Sequence, residues 1–334
     1  MTRTPDYDER IRSQLDQYKD VDINELPDIF HYWSNRYLAP LLIDVFGESS
    51  IPGIYAQALN EAIDTTGNTS VASLGPGDAW LEVDIARRMN EMGRIEFTIE
   101  LIELSDHLID RAKDAAGQAG VLSHFKFTQC DINTWKSDSC YAAIIANQSL
   151  HHFVGLEHIL NSVASALDNQ GIFASFDTIG RNGHMRWPEA RIILQYFWSK
   201  LPEEYHFHHL LKRFESPLFL DWDCSGEGFE GIRAQDILPL LVERFSFTHF
   251  AGWGAITDVF TDRGFGHNFR PSSQFDCDFI DDVQAAEISL HKVGILKPTQ
   301  MGAIMKKVDV VDRSSRFRGN LHPLQSVRDP SASL

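Results

Sequence analysis

From residue 69 to residue 177 the chain alternates short apolar runs with longer amphipathic stretches, and few folds accept that rhythm. Runs at 71–74, 96–104, 125–129, 141–146 and 171–177 have the length and composition of buried strands. Stretches between them, at 80–92, 107–119 and 156–167, repeat apolar residues at helical spacing. Strands joined through helices pair in parallel, with helices on both faces, so an α/β, doubly wound sheet is expected. Such sheets bind ligands at the carboxyl ends of their strands, and the chemistry is to be sought there.

The first strand runs into a constrained turn. Val71-Ala72-Ser73-Leu74 stops at Gly75-Pro76-Gly77, and Asp78 and Ala79 lead into the next helix. Two glycines one residue apart allow a tight path and a close approach by a ligand, which suits a nucleotide-like cofactor but also an ordinary strand-to-helix turn. The later strand ends discriminate. Glu103 closes the second strand, where a carboxylate can accept both hydroxyls of an adenosine ribose. A dinucleotide fingerprint needs Gly or Ala three residues after the second glycine; Trp80 stands there and argues against nicotinamide or flavin. Asp131 and Ile132 follow the third strand, an acceptor for an adenine amine beside an apolar surface. Asn147, Gln148, Ser149, Leu150, His151 and His152 follow the fourth, at the centre of the ligand edge.

In this order, on these elements, the motifs resemble those of the class I S-adenosylmethionine-dependent methyltransferases, over about residues 71–308. The resemblance implies a mostly parallel, seven-stranded Rossmann-like sheet and S-adenosyl-L-methionine as cofactor. It implies that Gly75 and Gly77, with Pro76 and Asp78, face the methionine part of the cofactor. Glu103 and Leu104 would meet the ribose, Asp131 and Ile132 the adenine, and Asn147 and Gln148 the cofactor backbone. Two positions depart from the family. Ser73 stands where an acid usually orders the loop and the cofactor's amine, and Ala79 replaces a third glycine. Asp78 or a residue of the N-terminal region is then needed to meet the amine.

Methyl transfer is an in-line displacement, so the protein has to align the acceptor and, for a hydroxyl or an amine, remove its proton. Histidine suits that task near neutral pH. His151 matches a position that serves as base in some small-molecule members of the family, partnered there by an N-terminal tyrosine; Tyr37 or Tyr32 is the candidate here. His151, His152 and Tyr37 are therefore the expected catalytic residues. For each histidine, a purely structural bond to backbone reads equally well.

The remaining sequence bounds the setting. A formal charge of -17, from 30 basic and 47 acidic residues, argues against general affinity for nucleic acid or anionic membranes. Cys130, Cys140, Cys224 and Cys277 form no paired motif, which fits a reducing, cytoplasmic location without a disulfide framework. No apolar run reaches membrane-spanning length. Residues 1–68 read as a helical lid that includes an amphipathic stretch at 9–18. Residues 69–310 form the core, with inserts at 181–231 and 258–300 expected to shape the acceptor pocket, and 311–334 is a polar tail. His206, His208 and His209 with Asp221, Asp223 and Cys224 match no compact ligand pattern, so no metal site is expected; Arg233 and Arg263 are left as pocket lining. The expected partner is a small-molecule acceptor, with a homodimer as a further possibility. The expected activity is O- or N-methylation. A non-catalytic cofactor-binding or scaffold protein of the same fold, or a non-methyl transfer from the same cofactor, remains the alternative.

Overall fold

The computed structural model describes residues 26–226, 228–308, 316–317 and 321–331. The expected stretch at 9–18 lies outside them. In chain order the elements that place the site are α1 (Asp28–Trp33), α2 (Ala39–Phe46), α3 (Ile51–Thr66), β1 (Ser70–Leu74), α4 (Trp80–Glu91), β2 (Thr98–Glu103), α5 (Asp106–Gln118), β3 (Phe125–Gln129), β4 (Tyr141–Asn147), α6 (Leu156–Ala166) and β5 (Leu167–Thr178). Then follow α7 (Pro188–Trp198), a small ribbon of β6 (Phe207–His208) and β7 (Arg213–Phe214), α8 (Ala234–Arg244), β8 (Phe245–Trp253), α9 (Thr257–Thr261), α10 (Gln274–Lys292), β9 (Gln300–Lys307), β10 (Arg316–Phe317) and α11 (Pro323–Ser326).

The main sheet has the order β10-β8-β9-β5-β4-β1-β2-β3. β1 to β5 are parallel, and β9 runs antiparallel between β5 and β8. The expected seven strands are all present. The eighth is the two-residue β10, which adds to the edge of β8. Strand order reverses between β1 and β4, and a ligand crevice opens above such a switch point.

Both faces of the sheet are covered, which is why β1 and β4 read as unbroken apolar runs and not as alternating ones. On one face α2, α3 and α4 bury Leu42, Leu59, Ile85 and Met89. On the other, α6 and α8 bury Leu160, Val163, Ile237 and Leu241. A third apolar cluster has no strand in its centre: Ile29 and Trp33 of α1, Leu194 and Trp198 of α7, Phe260 of α9 and Ile280 of α10 pack together. The N-terminal segment and the two inserts thus share one core of their own.

α1 passes into α2 through a π-helical stretch, Ser34–Leu38. Its exit is stapled to α10, where Asp281 accepts from the hydroxyls of Tyr32 at 2.9 Å and Tyr37 at 2.8 Å and pairs with Arg36 at 3.1 Å. The Trp33 indole also hydrogen-bonds Gln284. α10 begins at Gln274 because the Ser273 hydroxyl accepts from the Asp276 amide and caps it. The described part of the tail lies against the chain's own fold: Arg328 pairs with Glu189 at 2.9 Å and sits over the Trp187 ring. Among the described residues no helix is long and apolar enough to cross a membrane.

Candidate active site

The glycine turn is as tight as its sequence demands. Gly75, Gly77 and Ala79 all adopt positive φ, at 65°, 61° and 58°. Gly75 is crowded, since a β-carbon there would lie 3.1 Å from Phe153 and 3.2 Å from Ser149. A β-carbon on Gly77 would meet nothing within 4 Å, so that face of the turn is open.

The carboxyl end of β2 closes on this turn. Glu103 Oε2 accepts from the Gly77 amide at 3.1 Å, and Oε1 accepts from the amides of Leu104 and Ser105 at 2.8 and 2.9 Å. Burial raises its pKa against these three backbone donors. After β3, Asp131 accepts from the amide and side chain of Asn133 at 2.9 and 3.1 Å, with Ile132 buried beside it. After β4, Asn147 lies 3.4 Å from the hydroxyl of the buried Tyr55, and Gln148 takes a positive φ of 49°. The expected cofactor residues therefore line one continuous edge.

Ser73 does not stand without an acid. Its hydroxyl donates at 2.7 Å to Oε1 of Glu82, a residue of α4 that is 1% exposed. Burial pushes the Glu82 carboxyl up to about 7, and its Oε2 has no hydrogen-bond partner. Asp78 is held by Arg111 at 2.9 Å. A buried carboxylate oxygen without a donor, beside an open glycine turn, fits the ammonium of S-adenosylmethionine.

Beyond β4 lies a cluster that spans three parts of the chain. Asp177, at the end of β5 and fully buried, accepts four bonds. Its Oδ2 takes the amides of Ser149 and Leu150 at 3.0 and 2.8 Å; its Oδ1 takes the Thr178 amide at 2.9 Å and His151 Nδ1 at 2.6 Å. His151 Nε2 faces Glu230 of the first insert at 3.4 Å. His152 Nε2 and His184 Nε2 lie 3.6 and 3.5 Å from the same carboxylate. Burial alone would lower His151, but Asp177 and Glu230 lift it to about 10. Burial and the His151 charge push His152 and His184 down to about 4. Burial would raise Glu230, yet the three imidazoles hold it well below the usual carboxylate range.

Tyr37 goes elsewhere: its hydroxyl is engaged by Asp281, and so is that of Tyr32. His206 stacks on Trp198 and bonds its carbonyl, His208 accepts from the Leu211 amide, and His209 bonds Asn268, so these three do not converge. Arg233 clamps Glu157, Asp236 and the Val154 carbonyl, tying α8 to α6. Arg263 pairs with its neighbour Asp262. Sequence reasoning missed Glu82, Asp177, His184 and Glu230. Asp177 carried a signal, as an acid ending a strand of the core; Glu230 and His184 sit in the first insert, where no periodicity points to them.

Residues 66–196 match the family model described as a methyltransferase domain. No curated protein matches the sequence. Among solved structures, a mitomycin 7-O-methyltransferase is 15% identical with a TM-score of 0.31, over 45% of this chain and 43% of that one. A protein of Galdieria sulphuraria assigned as a sarcosine dimethylglycine methyltransferase is 13% identical with a TM-score of 0.45, over 92% of this chain and 100% of that one. An S-adenosylmethionine-dependent methyltransferase of Clostridium acetobutylicum is 14% identical with a TM-score of 0.32, over 46% and 63%. The chain thus spans less than half the length of the first and under two thirds of the third. The matched residues contain the glycine turn, the ends of β2 to β5 and the paired histidines, and over them the chain is similar to a methyltransferase domain.

Proposed function

We propose that this protein transfers a methyl group from S-adenosylmethionine to an oxygen or nitrogen of a small-molecule acceptor held between the strand ends and the two inserts. The observation that carries the reading is the switch point itself. The open glycine turn after β1 and the Asp177-anchored His151 after β4 stand on adjacent strands, so cofactor and acceptor share one crevice. Bound S-adenosylmethionine supplies an electrophilic methyl on a sulfonium, displaced in line by the acceptor. The chain's residues do the rest. Glu103 keeps acceptor capacity for ribose, since a carboxylate offers about four lone-pair sites and three are used. Glu82 takes the place of the acid that Ser73 lacks and meets the amine through Oε2. Asp177 fixes the orientation of His151, and His152, whose ring centroid lies 4.2 Å from that of His151, receives the acceptor's proton.

The test is transfer of tritium from methyl-labelled S-adenosylmethionine into a metabolite extract. Labelled small product together with S-adenosylhomocysteine is expected; methylthioadenosine instead would mean another displacement, and no turnover would leave a binding protein. Calorimetry tests the cofactor edge. Glu103→Ala and Asp131→Ala are expected to lose cofactor binding while staying folded, and unchanged affinity would remove these two residues from the site. Once the acceptor is known, His151→Ala and His152→Ala measured separately identify the ring that takes the proton.

A further inference from the structure

The geometry points to a second site inside the same crevice: His151, His184 and Glu230 form a binding site for a divalent transition-metal ion of the zinc class. His151 follows β4, His184 sits in the turn after β5, and Glu230 comes from the far end of the first insert, so three separate segments converge. One ligand atom from each lies within 4.8 Å of the others. His151 Nε2 and His184 Nε2 are 3.4 and 3.5 Å from the same oxygen, Glu230 Oε1. Both separations exceed the usual N–H···O range. They equal the edge of a tetrahedron of ligands about 2.1 Å from a central ion, which is roughly 3.4 Å. The Nε2 of His184 is buried and makes no hydrogen bond, as a nitrogen reserved for an ion would be.

The surroundings are built to hold these rings. His151 is bonded through Nδ1 to Asp177 at 2.6 Å, which leaves Nε2 for the ion; this is the carboxylate–histidine arrangement that orients metal ligands. His184 sits in a turn where both it and Gly183 have positive φ, 55° and 67°. Such a conformation is costly for histidine and persists only where its surroundings fix it. Gly231 does so: its carbonyl accepts from the Gly183 amide at 2.9 Å, and a β-carbon on it would lie 2.7 Å from His184 Cδ2. Gly183 is equally closed, since a β-carbon there would strike the Asp223 carboxylate. Two glycines and a strained turn thus aim one imidazole at Glu230.

Two imidazoles and a carboxylate are a donor set of catalytic zinc sites, with a further position open. An acceptor hydroxyl placed there ionises more readily, its proton passing to His152 before the oxygen attacks the methyl. The consequence for turnover rests on the methyl-transfer reading; the binding of the ion does not.

The full-length protein, stripped with a chelator and titrated with zinc chloride in a calorimeter, is expected to bind one equivalent at micromolar affinity or better. His184→Ala and Glu230→Gln are each expected to weaken binding at least tenfold, and Asp177→Asn also to weaken it. Zinc binding that is absent in the wild-type protein, or unchanged from wild type in both ligand variants, overturns the proposal. Circular dichroism checks that the variants fold. Should they not, the visible spectrum of the cobalt-loaded wild-type protein decides: intense bands of a four- or five-coordinate ion support the site, and the weak spectrum of the hydrated ion overturns it. Affinity for S-adenosylmethionine, measured in parallel on the stripped protein, separates a failure of the ion site from a failure of the cofactor reading.

Discussion

The buried Glu82 carboxyl, which accepts from the Ser73 hydroxyl, has a pH signature. The folded carboxyl of Glu82 stands near 7, above its unfolded value of about 4.3, so folding favours its neutral form. The sign follows: this contribution is fully present below about pH 4 and is lost as pH rises through about 7, for a total on the order of 3 kcal/mol. Denaturant titrations of the cofactor-free protein between pH 5 and 8 should show that fall, and Glu82→Gln should flatten it; a fall of the same size in the variant would point to another group. Under the proposed pairing of Glu82 with the cofactor's amine, the same substitution should lower affinity for S-adenosylmethionine about tenfold, near 1.4 kcal/mol. Asp177 makes a different demand. With four donors on a fully buried carboxylate, Asp177→Asn turns an acceptor into an N–H facing N–H groups, and a loss of about 2–4 kcal/mol is expected in chemical unfolding.

At the scale of the element, the two glycines of the β1–α4 turn look equivalent in the sequence and are not. Gly75 combines a positive φ with neighbours at 3.1 and 3.2 Å, so Gly75→Ala should destabilise by about 1–3 kcal/mol. Gly77 has the same backbone requirement but an empty side, so Gly77→Ala should cost only about 1 kcal/mol of stability and mainly weaken the cofactor. Thermal denaturation and calorimetry on the pair separate the two effects; matching losses in both assays would contradict the assignment of the open face. The helix α10 shows how an element can be legible in kind and not in extent. Its apolar periodicity is clear near residues 281–293, whereas its first two turns carry Asp276 and Cys277, and Ser273 decides the start through a cap.

At the scale of the molecule, the N-terminal segment and both inserts share one apolar core, with Asp281 as the staple of α1 to α10. Asp281→Ala should leave the sheet intact, lower stability by about 1 kcal/mol and expose the α1–α2 segment to limited proteolysis. Unchanged cleavage within residues 26–46 would show that the apolar contacts suffice. The sheet and its switch point were legible in the residues because each signal is local. A buried strand announces itself by an apolar run, and Gly75, Gly77, Glu103, Asp131 and Asn147 lie within a few positions of a strand end. The sequence also determined the class of cofactor, since Trp80 closes the dinucleotide path. Only the tertiary structure brought Glu82 under Ser73, took Tyr37 away to Asp281, and carried Glu230 and His184 to the paired histidines. Ser73 and Glu82 meet because α4 folds back over β1, whereas the other partners meet across long segments whose spacing has no period, so no local pattern encodes their contact.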